Sequence, residues 1–220
     1  MMIRRVDDAV NPTHAGLLSS FGERLMATDA FFQQRGPVQE TLRAVAKALE
    51  EAGIDYALIG GMALNAHGYR RETVDVDLLV TPEGLEKFRE TFQGLGYVPA
   101  HAGSRKRFRD TRSNVVVEFI TTGEYPGDGK QKPVRYPRPA EISIEREGVR
   151  IAGLEPMIEF KLASGMTAAD RLRDLADVQE LARVLRLDEA FAERLNLYVR
   201  GKFVELVRPL KGLQPEEGDG

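Results

Sequence analysis

Asp75 and Asp77 stand two residues apart inside an apolar run, Val74-Asp75-Val76-Asp77-Leu78-Leu79-Val80. A strand repeats its side-chain direction every second residue, so both carboxylates leave the same face, roughly 6.6 Å apart along the chain. Two ionised carboxylates at that spacing repel by about 2–3 kcal/mol at an effective dielectric of about 20. A cation between them removes the repulsion, and an acid pair holding a cation is what metal-assisted phosphate chemistry requires. An isolated Asp-x-Asp is more often a solvated pair on an edge strand. The apolar flanks here predict an interior strand, where two acids are costly without a metal or a cationic partner.

Two further features give the pair a setting. Gly60-Gly61 lies between the apolar segment Tyr56–Ile59 and a short helical pattern, Met62–His67. Glycines there let backbone N–H groups approach an anion at a helix start, although such a pair taken alone is more often a tight turn. Glu118 sits in Val115-Val116-Val117-Glu118-Phe119-Ile120, a second apolar strand pattern. Adjacent strands lie about 4.8 Å apart, so a neighbouring strand would carry Glu118 to the aspartates; a surface glutamate at a strand end is the plain alternative. Neither a P-loop nor a GxGxxG pattern is present.

The elements that must position these residues follow from periodicity. Pro37 opens a helix bearing Leu42, Val45, Ala46, Leu49 and Ala52, and Gly53 ends it. Pro82 starts another, with Leu85, Phe88 and Phe92 on one face and Gly94 and Gly96 closing it. Arg107–Asp110 and Val115–Ile120 predict an antiparallel pair, and Ile142–Ile144 with Val149–Ile151 a second. Between them, Thr121–Pro139 is rich in Gly and Pro and predicts a long loop. From Glu155 the pattern turns helical, with helices expected over about 155–164, 168–186 and 188–207, punctuated by Gly165 and by Leu187-Asp188. The expected organisation is an N-terminal extension (1–36, with Leu17, Leu18, Phe21 and Leu25 on one helical face), an α/β domain (37–153), a helical region (154–210) and a disordered acidic tail (211–220).

Composition bounds the reading. The chain has 220 residues, 42% hydrophobic and 30% charged, as expected of a soluble globular protein. It has no cysteine, which excludes disulfides and thiolate chemistry and fits a reducing cytoplasm. A net charge of −3 argues against broad, sequence-independent nucleic-acid binding, while leaving room for a local basic patch. Neither a signal-peptide core nor an apolar run long enough to span a membrane is visible.

The combination Ile59-Gly60-Gly61, Asp75-Val76-Asp77 and Val117-Glu118-Phe119 resembles the nucleotidyltransferase superfamily that includes DNA polymerase β. Arg71-Glu72-Thr73-Val74 is similar to that family's Arg-x-Thr lead-in to the acid pair. Farther on, Glu159–Ala163 followed by Asp170–Val178 resembles the Lys…Arg-x-[Lys/Arg]-Asp-x-x-Asp pattern of the AbiEii-type, toxin-associated branch. The resemblance implies a fold of the α/β (α+β) class, with a mixed sheet, flanking helices and a C-terminal helical bundle. It also implies transfer of a nucleoside monophosphate from an NTP to an acceptor hydroxyl. Asp75, Asp77 and Glu118 would hold Mg²⁺ or Mn²⁺, with Glu118 as metal ligand or base. Gly60, Gly61, Arg71, Thr73 and Lys161 would contact the nucleotide, Lys161 at its phosphates.

The acceptor classes compatible with this reading are RNA such as tRNA, a protein side chain and a small antibiotic; the AbiEii-like pattern implies RNA and an antitoxin partner. The rival reading is a non-catalytic nucleotide- or partner-binding module of the same fold. Two departures from the family pattern stand out: Glu118 replaces the commoner Asp, and Gly61 replaces a serine, so no hydroxyl is offered at the turn. Lys161 alone is also explained as a solvated helix lysine, and Arg171, Arg173, Asp174 and Asp177 as a salt-bridged helix face. The cluster Arg105, Lys106, Arg107, Arg109 and Arg112 reads either as an exposed hairpin or as a guide for RNA or triphosphate. Lys130, Lys132, Arg135 and Arg138 add charge to the long loop. His14, His67 and His101 lack metal-ligand spacing.

Overall fold

A computed structural model describes residues 36–212. The expected extension up to residue 35 and the tail from residue 213 lie outside the described residues.

Helix α1 (Pro37–Glu51) buries the stripe Val38, Leu42, Val45, Ala46 and Leu49. It ends at Gly53, whose φ of +62° only glycine adopts without strain. Strand β1 (Tyr56–Ile59) is buried throughout. Helix α2 (Gly60–Ala66) follows it directly, and β2 (Asp75–Val80) returns antiparallel to β1. Helix α3 (Pro82–Phe92) is capped by Thr81, whose Oγ1 accepts from the Gly84 N–H at 3.0 Å. Strands β3 (Tyr97–Pro99), β4 (Arg107–Asp110) and β5 (Val116–Thr121) come next. A loop then leads to the short helix α4 (Pro139–Ile142) and the hairpin β6 (Ser143–Arg146) and β7 (Val149–Ala152).

The seven strands form one mixed sheet in the order β3-β4-β5-β2-β1-β7-β6. β2 pairs in parallel with β5 and β1 in parallel with β7; the remaining pairings are antiparallel. The acid-bearing strand is thus interior, as its apolar flanks predict. Alternation divides the faces. Phe108 and Phe119 are buried against Phe88 of α3, with ring centroids 5.3 and 4.6 Å from it. Their neighbours Arg107 and Glu118 therefore leave the opposite face.

Three helices follow the sheet, α5 (Leu154–Thr167), α6 (Leu172–Val184) and α7 (Leu197–Val207), and pack on one another. Two expectations need correction. Gly165 does not end the first of these helices; it lies inside α5, where a Cβ would meet Leu175 Cγ at 2.6 Å, so its role is close helix packing. The expected helix over 188–207 is divided into a 3₁₀ turn (Glu189–Arg194) and α7, the break being set by Asn196, whose side chain caps the Tyr198 N–H at 3.0 Å. Strand β3 was not expected from the sequence; three residues give too short a pattern.

Candidate active site

Strand β2 presents Asp75 and Asp77 on one face, and its parallel partner β5 sets Glu118 directly opposite Asp77. The three carboxylates each offer an oxygen, and these oxygens lie within 4.8 Å of one another. Ile59 sits opposite Asp77 on the other side, so the Gly60-Gly61 turn meets the acids where β1 ends. Gly60 has a φ of +66°, and a Cβ there would overlap the Asp77 carboxylate. At Gly61 a Cβ would lie 2.9 Å from Thr73 Oγ1. Both glycines are therefore required for the turn to come this close to the acids.

Burial is the main cause that raises the Asp77 pKa to about 7, and the charges of Asp75 and Glu118 add to it; Lys161 and Arg71 pull the other way. This is the electrostatic state of an acid cluster that a cation would relieve. An all-oxygen donor set of three converging carboxylates fits a hard divalent ion. Thr73 Oγ1 donates to Asp75 Oδ1 at 2.9 Å and fixes that carboxylate. Arg107 of β4 lies opposite Glu118, with Nε 3.2 Å from Oε2.

The wall facing the acids comes from the helical half. Lys161 of α5 is 8% exposed and reaches Asp174 at 2.7 Å and Asp177 at 2.8 Å. Arg71 reaches the same Oδ2 of Asp177 at 2.7 Å, and Ser164 Oγ donates to Asp174 Oδ2 at 2.6 Å. Asn65 of α2 holds the main chain of Arg71 from both sides, donating to its carbonyl at 2.7 Å and accepting from its N–H at 2.9 Å. Asp174 and Asp177 thus bind cations from elsewhere in the chain, and no ion pair joins them to Arg171 or Arg173 among the described residues. The salt-bridged helix-face reading of this motif is replaced by a two-acid anchor for Arg71 and Lys161.

All eight residues singled out from the sequence (Gly60, Gly61, Arg71, Thr73, Asp75, Asp77, Glu118 and Lys161) line one cleft of about 280 Å³. Sequence reasoning missed Tyr136 and Phe160, which also line it with ring centroids 4.7 Å apart. Burial, with the charges of Asp174 and Asp77, raises the Tyr136 pKa. Tyr136 comes from the long loop, where no periodicity marks it. Arg71 Nε is buried without a hydrogen-bond acceptor among the described residues. His67 lies apart from the cleft, its Nε2 donating to the Ala152 carbonyl at 2.8 Å. Among the described residues, no helix is long and apolar enough to cross a membrane.

Among solved structures, that of ANT(2″)-Ia in complex with adenylyl-2″-tobramycin matches with a TM-score of 0.50 at 16% identity, covering 76% of this chain and 97% of that one. An antigenic nucleotidyltransferase-like protein from Paracoccidioides brasiliensis matches at 0.49 and 16% identity, covering 79% and 88%. JHP933 from Helicobacter pylori matches at 0.43 and 18%, covering 79% and 90%. No curated protein matches the sequence. The mixed sheet with its flanking helices is thus a nucleotidyltransferase-like fold. The family model described as "Uncharacterised nucleotidyltransferase" matches residues 25–210, a span that includes every residue of the cleft, and the chain belongs to that nucleotidyltransferase family.

Proposed function

We propose that the protein transfers a nucleoside monophosphate from an NTP to an acceptor hydroxyl at the Asp75–Asp77–Glu118 cluster, with RNA as the acceptor. The observation that carries the reading is the convergence of three carboxylates within 4.8 Å beside a glycine turn. Asp75, Asp77 and Glu118 would hold Mg²⁺ or Mn²⁺. Such an ion, when bound, neutralises the acids and offers positive charge to phosphate oxygens.

The chain's own residues divide the remaining work. Backbone N–H groups at the Gly60-Gly61 turn face the phosphates. Arg71 offers its buried Nε to a phosphate oxygen, and Lys161 has one N–H left after its two carboxylates. Thr73 keeps Asp75 oriented. In the transfer, the acceptor oxygen forms a bond to the α-phosphorus, the bond from that phosphorus to the pyrophosphate oxygen breaks, and the hydroxyl proton passes to Glu118 or to solvent. Residues 37–153 supply the acids and the turn, while 154–210 supply Lys161 and its anchors.

The Lys161…Arg171-Leu172-Arg173-Asp174…Asp177 motif favours an AbiEii-like role, in which the protein is the toxin of a toxin–antitoxin pair acting on tRNA or other RNA. An NTP-consuming enzyme without cysteine suits the cytoplasm. A second reading, transfer to a small antibiotic, is favoured by the fold shared with ANT(2″)-Ia, whose complex contains adenylyl-2″-tobramycin. The test is incubation of the purified protein with each α-labelled NTP, Mg²⁺ and total RNA, with aminoglycosides as a parallel acceptor set. Metal-dependent label in RNA, lost in Asp75→Asn with the fold intact, is expected; retained turnover in that variant overturns the metal role.

A further inference from the structure

The sheet carries a second kind of charge on the face that bears the acids. β5 pairs with β2 in the register Asp75↔Val116 and Asp77↔Glu118, and with β4 in the register Arg109↔Val116 and Arg107↔Glu118. Residues paired across strands share a face. Two rows therefore run side by side, Asp77–Glu118–Arg107 and Asp75–Val116–Arg109. With strands about 4.8 Å apart, the arginine backbones begin about 5–10 Å from the acids.

Both arginines retain donors. Arg107 meets Glu118 through Nε at 3.2 Å, and its side chain is 46% exposed, so part of its guanidinium group faces solvent. Arg109 donates to Asn114, at 3.0 Å to the carbonyl and 3.2 Å to Oδ1, and among the described residues it is bound to no carboxylate. Arg105 is exposed just before β4. The other basic residues of this stretch are spoken for: Lys106 pairs with Glu124, and Arg112 turns back to Asp110. What is left is a short strip of guanidinium groups leading away from Glu118. On the other side of the acids lie Gly60, Gly61, Arg71 and Lys161.

We propose that the β4 edge of the cleft is the acceptor track, in which Arg107 and Arg109, with Arg105, bind backbone phosphates of a single-stranded RNA end and direct its terminal ribose hydroxyl to Glu118. The inference rests on the nucleotidyl-transfer reading and adds where the acceptor lies and why it is anionic. A polycationic acceptor meets like charge on this path, whereas phosphates take guanidinium groups in a bidentate manner. Phosphate contact also draws Arg107 from Glu118 and leaves that carboxylate to the hydroxyl. The aliphatic neighbour Val98, opposite Arg109 and 39% exposed, extends the same face outward.

Binding tests this independently of turnover. A short fluorescein-labelled single-stranded RNA is titrated with the full-length protein by anisotropy, without NTP, over a range of salt concentrations. Arg107→Gln with Arg109→Gln is expected to weaken binding on the order of 10-fold and to lower the salt slope by about 0.7 per lost phosphate contact. Val98→Glu, which touches none of the acids, is expected to weaken binding as well, while Arg183→Gln on α6 leaves it unchanged. Unchanged affinity in the double variant overturns the track, as does tighter capture of polyglutamate than of RNA. RNA binding that depends on these arginines in a protein showing no transfer from any NTP supports the track and counts against the transfer reading. NTP-dependent labelling of a protein or small molecule without RNA binding does the reverse.

Discussion

Arg71 and Asp177, 106 residues apart in the chain, are joined by a 2.7 Å ion pair in which the carboxylate side chain is 3% exposed. Lys161 shares the same oxygen at 2.8 Å. One buried carboxylate therefore ties the segment leading into β2 to both α5 and α6, beside the cleft that Arg71 and Lys161 line. The cations are held by the fold before any nucleotide arrives, so their positions are not left to ligand binding.

Removing Asp177 takes away two of the three ion pairs that hold Arg71 and Lys161 and leaves that of Lys161 with Asp174. Breaking a buried, hydrogen-bonded ion pair from one side costs about 3–5 kcal/mol. Asp177→Ala is expected to lose stability in that range in urea unfolding. Asp174→Ala, which keeps the shared Asp177 oxygen, is expected to lose less. A loss below about 1 kcal/mol for Asp177→Ala would mean that the tie is not structural.

Asp77 couples stability to pH and to metal. Its folded-state pKa is about 7, above the 3.8 of a free aspartate, mainly because it is buried. The folded protein therefore keeps a proton that the unfolded chain releases. The contribution of this group to stability falls as pH rises from about 4 to 7 and is level above that. Asn carries no charge at any of these pH values. Asp77→Asn is expected to stabilise the metal-free protein at pH 8 by an amount on the order of 2 kcal/mol, and to have little effect at pH 4. Added Mg²⁺ should raise the melting temperature of the wild type and not of the variant. A variant less stable than wild type at pH 8 in chelator contradicts the account.

How much of this was legible in the sequence depends on the range of the interaction. Alternation in Val74–Val80 and Val115–Ile120 marks the two acid strands and the faces of Asp75, Asp77 and Glu118, because period two is a local property. Gly60-Gly61 marks the turn for the same reason. The β2–β5 register that brings Glu118 opposite Asp77 spans some forty residues, and only the joint motif, not any local pattern, points to it. Asp174 and Asp177 carry local partners in sequence, Arg171 and Arg173, and distant partners in space. Helix spacing favours the former, whereas burial of Asp177 beside Lys161 selects the latter. Gly165 has the type of a helix end and the role of a packing contact, which depends on Leu175 from another helix. Tyr136 enters the cleft from a loop, where sequence has no period to read.

The glycine turn separates a conformational cost from a site cost. Gly60→Ala combines an unfavourable left-handed residue with a Cβ that overlaps the Asp77 carboxylate. Gly94→Ala, at φ +86° with nothing near its Cβ, carries the conformational cost alone. Gly94→Ala is expected to lose about 1–2 kcal/mol of stability, and Gly60→Ala more than that, because its Cβ also displaces the Asp77 carboxylate. Only Gly60→Ala should lose nucleotidyl transfer, by more than about 10-fold, since displacing a reacting group by about 1 Å has effects of that order or larger. Equal activity in the two variants would remove the turn from the reaction.

Lys132 bonds the loop that carries Tyr136 to helix α5. Its side chain is 5% exposed and donates to the Pro126 carbonyl and, at 3.2 Å, to Thr167 Oγ1 of α5, besides pairing with Asp128. Gly127 of the same loop packs against α5 so closely that a Cβ would come within 2.8 Å of the Ser164 carbonyl. The loop is thus fastened to the helix that bears Lys161, and Tyr136 stands against Phe160 as part of the cleft wall. Lys132→Ala removes the fastening, and none of the residues that Lys132 bonds (Pro126, Asp128 and Thr167) lines the cleft. If Tyr136 helps to hold the nucleotide, the variant should raise KM for NTP on the order of 10-fold and change kcat much less, because binding is weakened in ground and transition state alike. Tyr136→Phe, which keeps the ring, should stay near wild type, and Tyr136→Ala should match Lys132→Ala. Steady-state titration with NTP decides the matter: a KM unmoved in both Lys132→Ala and Tyr136→Ala takes the loop out of the nucleotide site and leaves it a structural cover over α5.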